Sequence, residues 1–164
     1  MRTGIVIAQE DIIQSITSAN AIMNLTPGSF GPGLTTDMVR DGSILDISNQ
    51  FIRPFYQSRA QIAISWIESE LASYPFRVHT PEGAIFLWVW FKDLPITSET
   101  LYQRLKARDV LVIPGEHFVP GLTEPWKHRH ECVRVSYAQD QQTVERGIAI
   151  LAEEVRAAYD NAVP

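Results

Sequence analysis

Four side chains with metal-binding atoms lie close together in the last third of the chain: His128, His130, Glu131 and Cys132. A closed zinc site uses four ligands, usually as two separated pairs, and the sequence holds no second pair of this kind. The other two histidines, His79 and His117, could join them only if the fold happened to bring them there. The pattern therefore favours a polar loop, with a zinc module as an open alternative. A lone cysteine in a strand is typical of a small buried side chain rather than of a nucleophile.

Arg134 has the chemistry to bind an anion. It stands between Val133 and Val135, in a pattern that alternates between apolar and polar positions and so predicts a strand. A guanidinium in a strand presents a planar fork that fits a carboxylate. The spacing by itself favours a plain exposed arginine, or one that is paired with a nearby acid.

A glycine-rich segment, GSFGPG at residues 28–33, precedes a helical pattern. Free N–H groups at the start of a helix can bind phosphate. The segment matches neither GxGxxG nor GxxxxGK[ST], however, and Pro32 has no N–H to donate. These features favour a structural turn.

The composition is that of ordinary globular protein: 45% of the 164 residues are hydrophobic and 20% are charged. The net charge is −5 and no run of Lys or Arg is present, which argues against nucleic-acid binding. The longest apolar run, residues 84–91, is far shorter than the ~20 residues of a membrane helix. No secretory signal pattern follows Met1, and a single cysteine allows no internal disulfide, so we expect a cytoplasmic protein.

Hydrophobic spacing predicts helices over residues 11–23, 34–40, 97–108 and 140–159, and a long amphipathic helix over 47–71. Pro54 lies inside that long pattern, where it either kinks one helix or separates two. Strands are predicted over residues 5–8, 76–79, 84–91, 110–113 and 132–137. The first of these reads as a strand buried on both faces, and no comparable partner follows it for many residues. The second half of the chain predicts an α+β unit with helices over one face of a small sheet.

Four segments, in order, resemble the C-terminal portion of the aspartate aminotransferase superfamily, the fold type I pyridoxal-phosphate enzymes: RTGIVIA (2–8), PEGAIFLW (81–88), VLVIPGEHF (110–118) and VRVSYA (133–138). Within the superfamily, residues 81–96, 101–122 and 150–155 are similar to the valine–pyruvate aminotransferase subfamily. The resemblance implies an α/β fold, with an α+β small domain that follows an orphan strand and helices of the large domain. Residues 1–46 would be the end of the large cofactor-binding domain, 47–71 the interdomain helix and 72–164 the small C-terminal domain.

The same resemblance implies roles for particular residues. Arg2 matches the arginine that binds the phosphate of pyridoxal 5'-phosphate, and Arg134 matches the arginine that pairs with the substrate α-carboxylate. The segment Gly28, Ser29, Phe30 and Gly31 matches a loop that approaches the neighbouring subunit's active site, which implies a homodimer. Pro54 would lie at the hinge that lets the small domain move toward the substrate.

The lysine that forms the Schiff base in this superfamily lies several residues before the position of Arg2. Lys92, Lys106 and Lys127 are the lysines of this chain, and none stands in the family's S-x-x-K context. We therefore expect no catalytic residue in these 164 residues, and no transamination without the N-terminal part of the enzyme.

The resemblance implies part of an enzyme that moves an amino group between an amino acid of the valine or alanine type and a 2-oxo acid such as pyruvate. The alternative is a freestanding, non-catalytic aminotransferase-like domain that binds small carboxylates or dimerises.

Overall fold

The structure is a computed structural model and describes residues 4–23, 28 and 30–162. The chain divides into two compact units, Met1–Phe51 and Ile52–Pro164. The described part of the first unit contains three helices: α1 (Glu10–Met23), α2 (Phe30–Arg40) and α3 (Ser43–Ile47). The second unit contains three further helices and four strands, in the order α4 (Arg53–Glu70), β1 (Phe76–Val78), β2 (Phe86–Phe91), α5 (Ser98–Lys106), β3 (Ile113–Pro114), β4 (Cys132–Ser136) and α6 (Gln141–Asp160).

The four strands form one antiparallel sheet in the order β1-β2-β4-β3. The two central strands pair along their length, from Phe86 opposite Ser136 to Trp90 opposite Cys132. Residues opposite each other in an antiparallel pair point to the same face of the sheet. Paired residues of β2 and β4 therefore lie side by side on the same face of the sheet.

One face of the sheet is buried under helices. Every second side chain along the two central strands points to this face. All five of these side chains are buried: Leu87, Val89, Phe91, Val133 and Val135. The helices α4, α5 and α6 pack onto this face with apolar residues at helical spacing, such as Val144, Ile148, Leu151 and Val155 of α6. Burying each such side chain contributes about 1.5–3 kcal/mol relative to exposure. The prediction of a small sheet with helices on one face is confirmed.

Two helices of the second unit begin at side-chain caps. The hydroxyl of Thr97 accepts a hydrogen bond from the N–H of Thr100 at 3.1 Å, which resolves the choice between Thr97 and Ser98 as the cap of α5. The carboxylate of Asp140 accepts one from the N–H of Thr143 at 2.9 Å and starts α6. Both caps satisfy donors that the first turn of a helix leaves free.

The long helix predicted over residues 47–71 is α-helical only from Arg53 to Glu70, and the helical backbone before it includes a π-helical turn. A π-helical turn, Ser48–Ile52, follows α3, and α4 then begins at Arg53 with Pro54 in its first turn. A proline is compatible with the first turn because its missing N–H would have no partner inside the helix. Pro54 therefore lies just after the π-helical turn, in backbone that is helical on both sides of it.

Three sequence predictions differ from the structure. Residues 5–8 form no strand and are exposed, with Ile7 94% accessible, because no strand in the described residues pairs with them and a strand requires a hydrogen-bonded neighbour. The strand predicted over 110–113 forms only at Ile113–Pro114. Helix α2 begins at Phe30 rather than at residue 34, since Pro32 and the glycines beside it fit within a first helical turn.

No helix in the described part of the chain is long and apolar enough to cross a membrane.

Candidate anion-binding site

Arg134 lies in the middle of β4, on the face of the sheet that the helices leave open. Its cross-strand neighbours are Trp88 on β2 and Ile113 on β3. The predicted alternation is confirmed, since Val133 and Val135 are buried on the helix side and Arg134 is half-buried on the opposite side. A rigid central strand therefore fixes the base of this side chain.

Two aromatic rings enclose the guanidinium of Arg134. Its Cζ atom lies 4.1 Å from the ring centre of Phe86 and 4.9 Å from that of Phe118. Phe118 is itself held edge-on against Trp88, with ring centres 5.2 Å apart and an interplanar angle of 89°. Cation–π contacts of this kind hold the plane of a guanidinium and leave the N–H groups at its edge free to donate.

Arg134 has no carboxylate partner among the described residues: no ion pair or hydrogen bond of its guanidinium occurs there. The sequence alone favours an exposed or acid-paired arginine. Among the described residues, the structure instead shows one that is half-buried, stacked and without an ion-pair partner. Such an arrangement has the chemistry to accept an external carboxylate, because both the charge and the planar fork are available.

The turn that carries Phe118 packs closely against the start of β4. This 3₁₀ turn, Gly115–Phe118, follows β3, and Glu116 Oε2 lies 2.9 Å from His130 Nδ1 without hydrogen-bond geometry. A side chain at Gly115 would meet the backbone oxygen of Arg129 and the Cβ atom of Cys132, each at 2.8 Å. Only glycine therefore permits this approach, and it brings Phe118 over the guanidinium.

Glu131 holds the start of β4. Only 5% of this residue is exposed, and its carboxylate accepts hydrogen bonds from the indole N–H of Trp90 at 2.8 Å and from the backbone N–H of Asp93 at 3.1 Å. Lys127 balances the charge, with its Nζ atom 3.2 Å from Glu131 and 2.6 Å from Asp93. The hydrogen bond from Lys127 lowers the pKa of Asp93. Sequence reasoning considered Glu131 only as a metal ligand and missed this structural role.

Among the described residues, the histidine and cysteine side chains are not arranged as a group that could hold a metal ion. His128 and His130 lie in a 3₁₀ turn, Lys127–His130, rather than in a strand. His128 Nε2 lies 3.4 Å from the sulfur of Cys132, and among the described residues no group of three or more His, Cys, Asp and Glu side chains could hold a metal ion. Burial raises the pKa of the Cys132 thiol to about 11, so the thiol is protonated and poorly nucleophilic at neutral pH.

The remaining predicted site residues lie in the first unit. Arg2 and Ser29 lie outside the described residues. Gly28 and Phe30 are exposed, and Gly31 is buried in the first turn of α2. Their assigned roles stay predictions.

These observations define a strand arginine, stacked between two rings and open to a carboxylate, on a small antiparallel sheet. The chain belongs to the aminotransferase class I and II family, whose sequence signature matches residues 1–151.

Among curated proteins, the chain is 49% identical over 158 residues to the valine–pyruvate aminotransferase of Escherichia coli (strain K12). The match covers 96% of this chain and 38% of that protein, so the chain spans about two fifths of its relative's length.

Solved structures of aminotransferases also resemble this chain. The crystal structure of valine–pyruvate aminotransferase from Salmonella typhimurium LT2 superposes with a TM-score of 0.85 and 46% identity, over 95% of this chain and 40% of that one. An α-aminoadipate aminotransferase from Thermus thermophilus, complexed with N-(5'-phosphopyridoxyl)-L-leucine, gives a TM-score of 0.74 over 95% of this chain and 38% of that one. At 20% identity, that likeness shows the fold alone.

Proposed function

We propose that this chain is the C-terminal part of a pyridoxal-phosphate-dependent aminotransferase. The enzyme moves an amino group between an amino acid of the valine or alanine type and a 2-oxo acid such as pyruvate. The relatives at 49% and 46% identity are named for the valine–pyruvate reaction, which supports this substrate class. The chain's own contribution is substrate recognition by Arg134.

The single observation that carries this proposal is the guanidinium of Arg134, which lies between Phe86 and Phe118 and has no ion-pair partner among the described residues. Amino acids and 2-oxo acids share an α-carboxylate, and this is the group that a fork of parallel N–H donors recognises. Because the rings hold the guanidinium plane, a bound carboxylate is fixed in direction as well as in position. The rest of the substrate then extends from a defined point, as transfer at the α-carbon requires.

Pyridoxal phosphate, when bound, supplies the electron sink for chemistry at the α-carbon. Arg2 would bind its phosphate as a fixed positive charge. The Schiff-base lysine would come from the N-terminal part of the enzyme, and the chain is inactive without that part. None of Lys92, Lys106 and Lys127 stands in the sequence context of that lysine.

The family assignment supports a domain arrangement that we also propose. Residues 1–46 end the large domain, 47–71 bridge the domains and 72–164 form the small domain, with Pro54 near the hinge. The loop of Gly28, Ser29, Phe30 and Gly31 reaches the neighbouring subunit of a homodimer, in a cytoplasmic enzyme.

The test uses the full-length product of the gene that encodes this chain, assayed with valine as amino donor and pyruvate as acceptor. In Arg134→Gln we expect kcat/KM for valine to fall by about 100-fold or more. That fall corresponds to about 2.7 kcal/mol, in the range for losing charged hydrogen bonds. Arg134→Lys should recover part of the loss, because it restores the charge but not the fork.

Arg77→Gln is the matched control. Arg77 lies opposite Trp90 and so shares the open face of the sheet with Arg134, but it is exposed, and within the described part of the chain its guanidinium bonds only the carbonyl of Phe76. It should keep near-normal kcat/KM. An Arg134→Gln enzyme within about threefold of the wild type would refute the assignment. A gene product of these residues alone that binds small carboxylates would instead establish the non-catalytic alternative.

A further inference from the structure

Ala84 holds a backbone conformation that its side chain disfavours. Its φ angle is +63°, in the left-handed region, where the Cβ atom of an L-amino acid is crowded by the backbone. Asp93 and Asp109 have similar angles, but aspartate enters this region more readily than alanine does. Ala84 lies in the turn before β2 and is exposed, so burial of its own methyl group contributes little. Contacts made by other residues must hold the turn in place.

Tyr137 supplies such contacts. Its hydroxyl donates a hydrogen bond to the carbonyl of Ala84 at 2.8 Å, and its backbone N–H donates one to the carbonyl of Ile85 at 3.2 Å. Only 3% of Tyr137 is exposed, and its ring lies edge-on to that of Tyr56 in α4, with 6.5 Å between the ring centres. Burial raises the pKa of the hydroxyl, so at neutral pH it keeps the proton that it donates. One anchored residue therefore binds two successive carbonyls of the turn.

The turn determines where Phe86 lies. Phe86 is the second residue after Ala84, begins β2 and pairs with Ser136, the residue before Tyr137. Because successive side chains of a strand point to opposite faces, a turn that relaxed at Ala84 would shift the ring of Phe86 on the open face. That ring lies 4.1 Å from the Cζ atom of Arg134. The position of the guanidinium therefore depends on the turn.

Tyr137 acts from the side of the sheet that faces the helices. It continues the alternation of Val133 and Val135 and belongs to the same hydrophobic core, whereas Arg134 points to the open face. Its hydroxyl does not reach a carboxylate that binds at the guanidinium. Any effect of the hydroxyl on carboxylate binding must pass through the turn and Phe86.

We propose that Tyr137 is a positioning residue for the substrate carboxylate: its hydroxyl holds the left-handed turn at Ala84, and the turn holds Phe86 against the guanidinium of Arg134. This inference rests on the proposed function, because it concerns the carboxylate binding proposed for Arg134.

The test uses the full-length gene product with valine, pyruvate and isovalerate, a carboxylate that has the carbon skeleton of valine but no amino group. In Tyr137→Phe we expect the Kd of isovalerate, measured by calorimetry, and the KM of valine to rise about tenfold, with kcat within about threefold of the wild type. A loss of stability alone would not divide the effect between KM and kcat in this way.

Tyr159→Phe is the matched control. The hydroxyl of Tyr159 also donates to a backbone carbonyl at 2.8 Å, that of Lys92, which follows the other end of β2. Both variants should lower the Tm, because each removes one hydrogen bond of the same kind. Only Tyr137→Phe should change the Kd of isovalerate and the KM of valine.

Ala84→Gly separates positioning from general stabilisation. Glycine adopts the left-handed region without strain, so the turn depends less on the hydroxyl of Tyr137. On the Ala84→Gly background, Tyr137→Phe should raise the Kd of isovalerate by less than about threefold. An equal rise with alanine and with glycine at position 84 overturns the inference. A Tyr137→Phe enzyme whose Kd lies within about twofold of the wild type overturns it as well.

The same samples separate this inference from the proposed function. If the wild type transfers the amino group and Arg134→Gln does not, but Tyr137→Phe binds isovalerate normally, only the role of Tyr137 is wrong. If isovalerate binding depends on Tyr137 but the wild type transfers no amino group, only the proposed function is wrong. A wild type that does not bind isovalerate refutes both.

Discussion

Glu131 provides a direct test of how the open face of the sheet is held together. The carboxylate is nearly inaccessible and accepts hydrogen bonds from Trp90 and from the backbone of Asp93, two groups on β2 and just beyond it. It also lies directly before β4, whose third residue is Arg134. Glu131→Ala removes the acceptor while leaving both donors in place.

The expected loss of stability follows from those two donors. A buried donor left without an acceptor costs about 1–3 kcal/mol, so two fully buried donors would give about 2–6 kcal/mol. Water can reach these two partly buried donors, so the loss should fall in the lower half of that range. The ion pair with Lys127 adds little, because the Lys127 ammonium is largely exposed and ion pairs that solvent reaches contribute about 0–1 kcal/mol. Glu131→Gln keeps the shape and one acceptor oxygen, so it should lose about half as much.

Urea denaturation, followed by tryptophan emission and circular dichroism, measures the free energy of unfolding of the wild type and of both Glu131 variants. Lys127→Ala serves as the control and should change it by less than about 1 kcal/mol. If Glu131→Ala lies within about 0.5 kcal/mol of the wild type, or if Lys127→Ala costs as much as Glu131→Ala, the argument from buried donors is wrong.

Three further predictions concern the same unit. Gly115→Ala should lower the free energy of unfolding by about 1–3 kcal/mol, because the added Cβ would meet backbone atoms. The control, Gly83→Ala, has open space around it and should change the free energy of unfolding little. Urea denaturation measures both variants. Burial raises the pKa of Cys132 in the folded protein from the ordinary thiol value near 9 to about 11. The stability that depends on the protonated thiol is therefore fully present below about pH 9, and it is lost as pH rises toward about 11. The difference in unfolding free energy between the wild type and Cys132→Ala should therefore shrink over that range. Hydrogen bonds from Thr143 lower the pKa of Asp140, so its contribution is present above about pH 4 and lost at lower pH; Asp140→Ala should show a weaker acid dependence in thermal melts.

Local pattern was sufficient for much of the second unit. The alternation of Val133, Arg134 and Val135 correctly assigned the faces of β4, and helical spacing located α6 to within about a residue at each end. These features depend on residues close together in sequence, where backbone geometry fixes which side chains share a face.

The site itself required the fold. Phe86 and Phe118 are separated from Arg134 by many residues, and no spacing rule indicates that both rings would enclose one guanidinium. The role of Glu131 was hidden for the same reason, since its donor Trp90 lies on another strand. The strand predicted at residues 5–8 is absent for the opposite reason: its composition suits a strand, but a strand also needs a hydrogen-bonded neighbour, which composition does not supply.

Tryptophans near the open face of the sheet give the molecule intrinsic fluorescence probes. Of the four tryptophans, Trp88 touches the ring that stacks on Arg134, while Trp90 and Trp126 flank the ring of His128 on the same side. Trp66, by contrast, packs with the helices against the core. We expect a carboxylate that docks at the guanidinium to change the surroundings of Trp88 more than those of Trp66. Tryptophan emission would then follow ligand occupancy without a dye, a label or a coupled reaction.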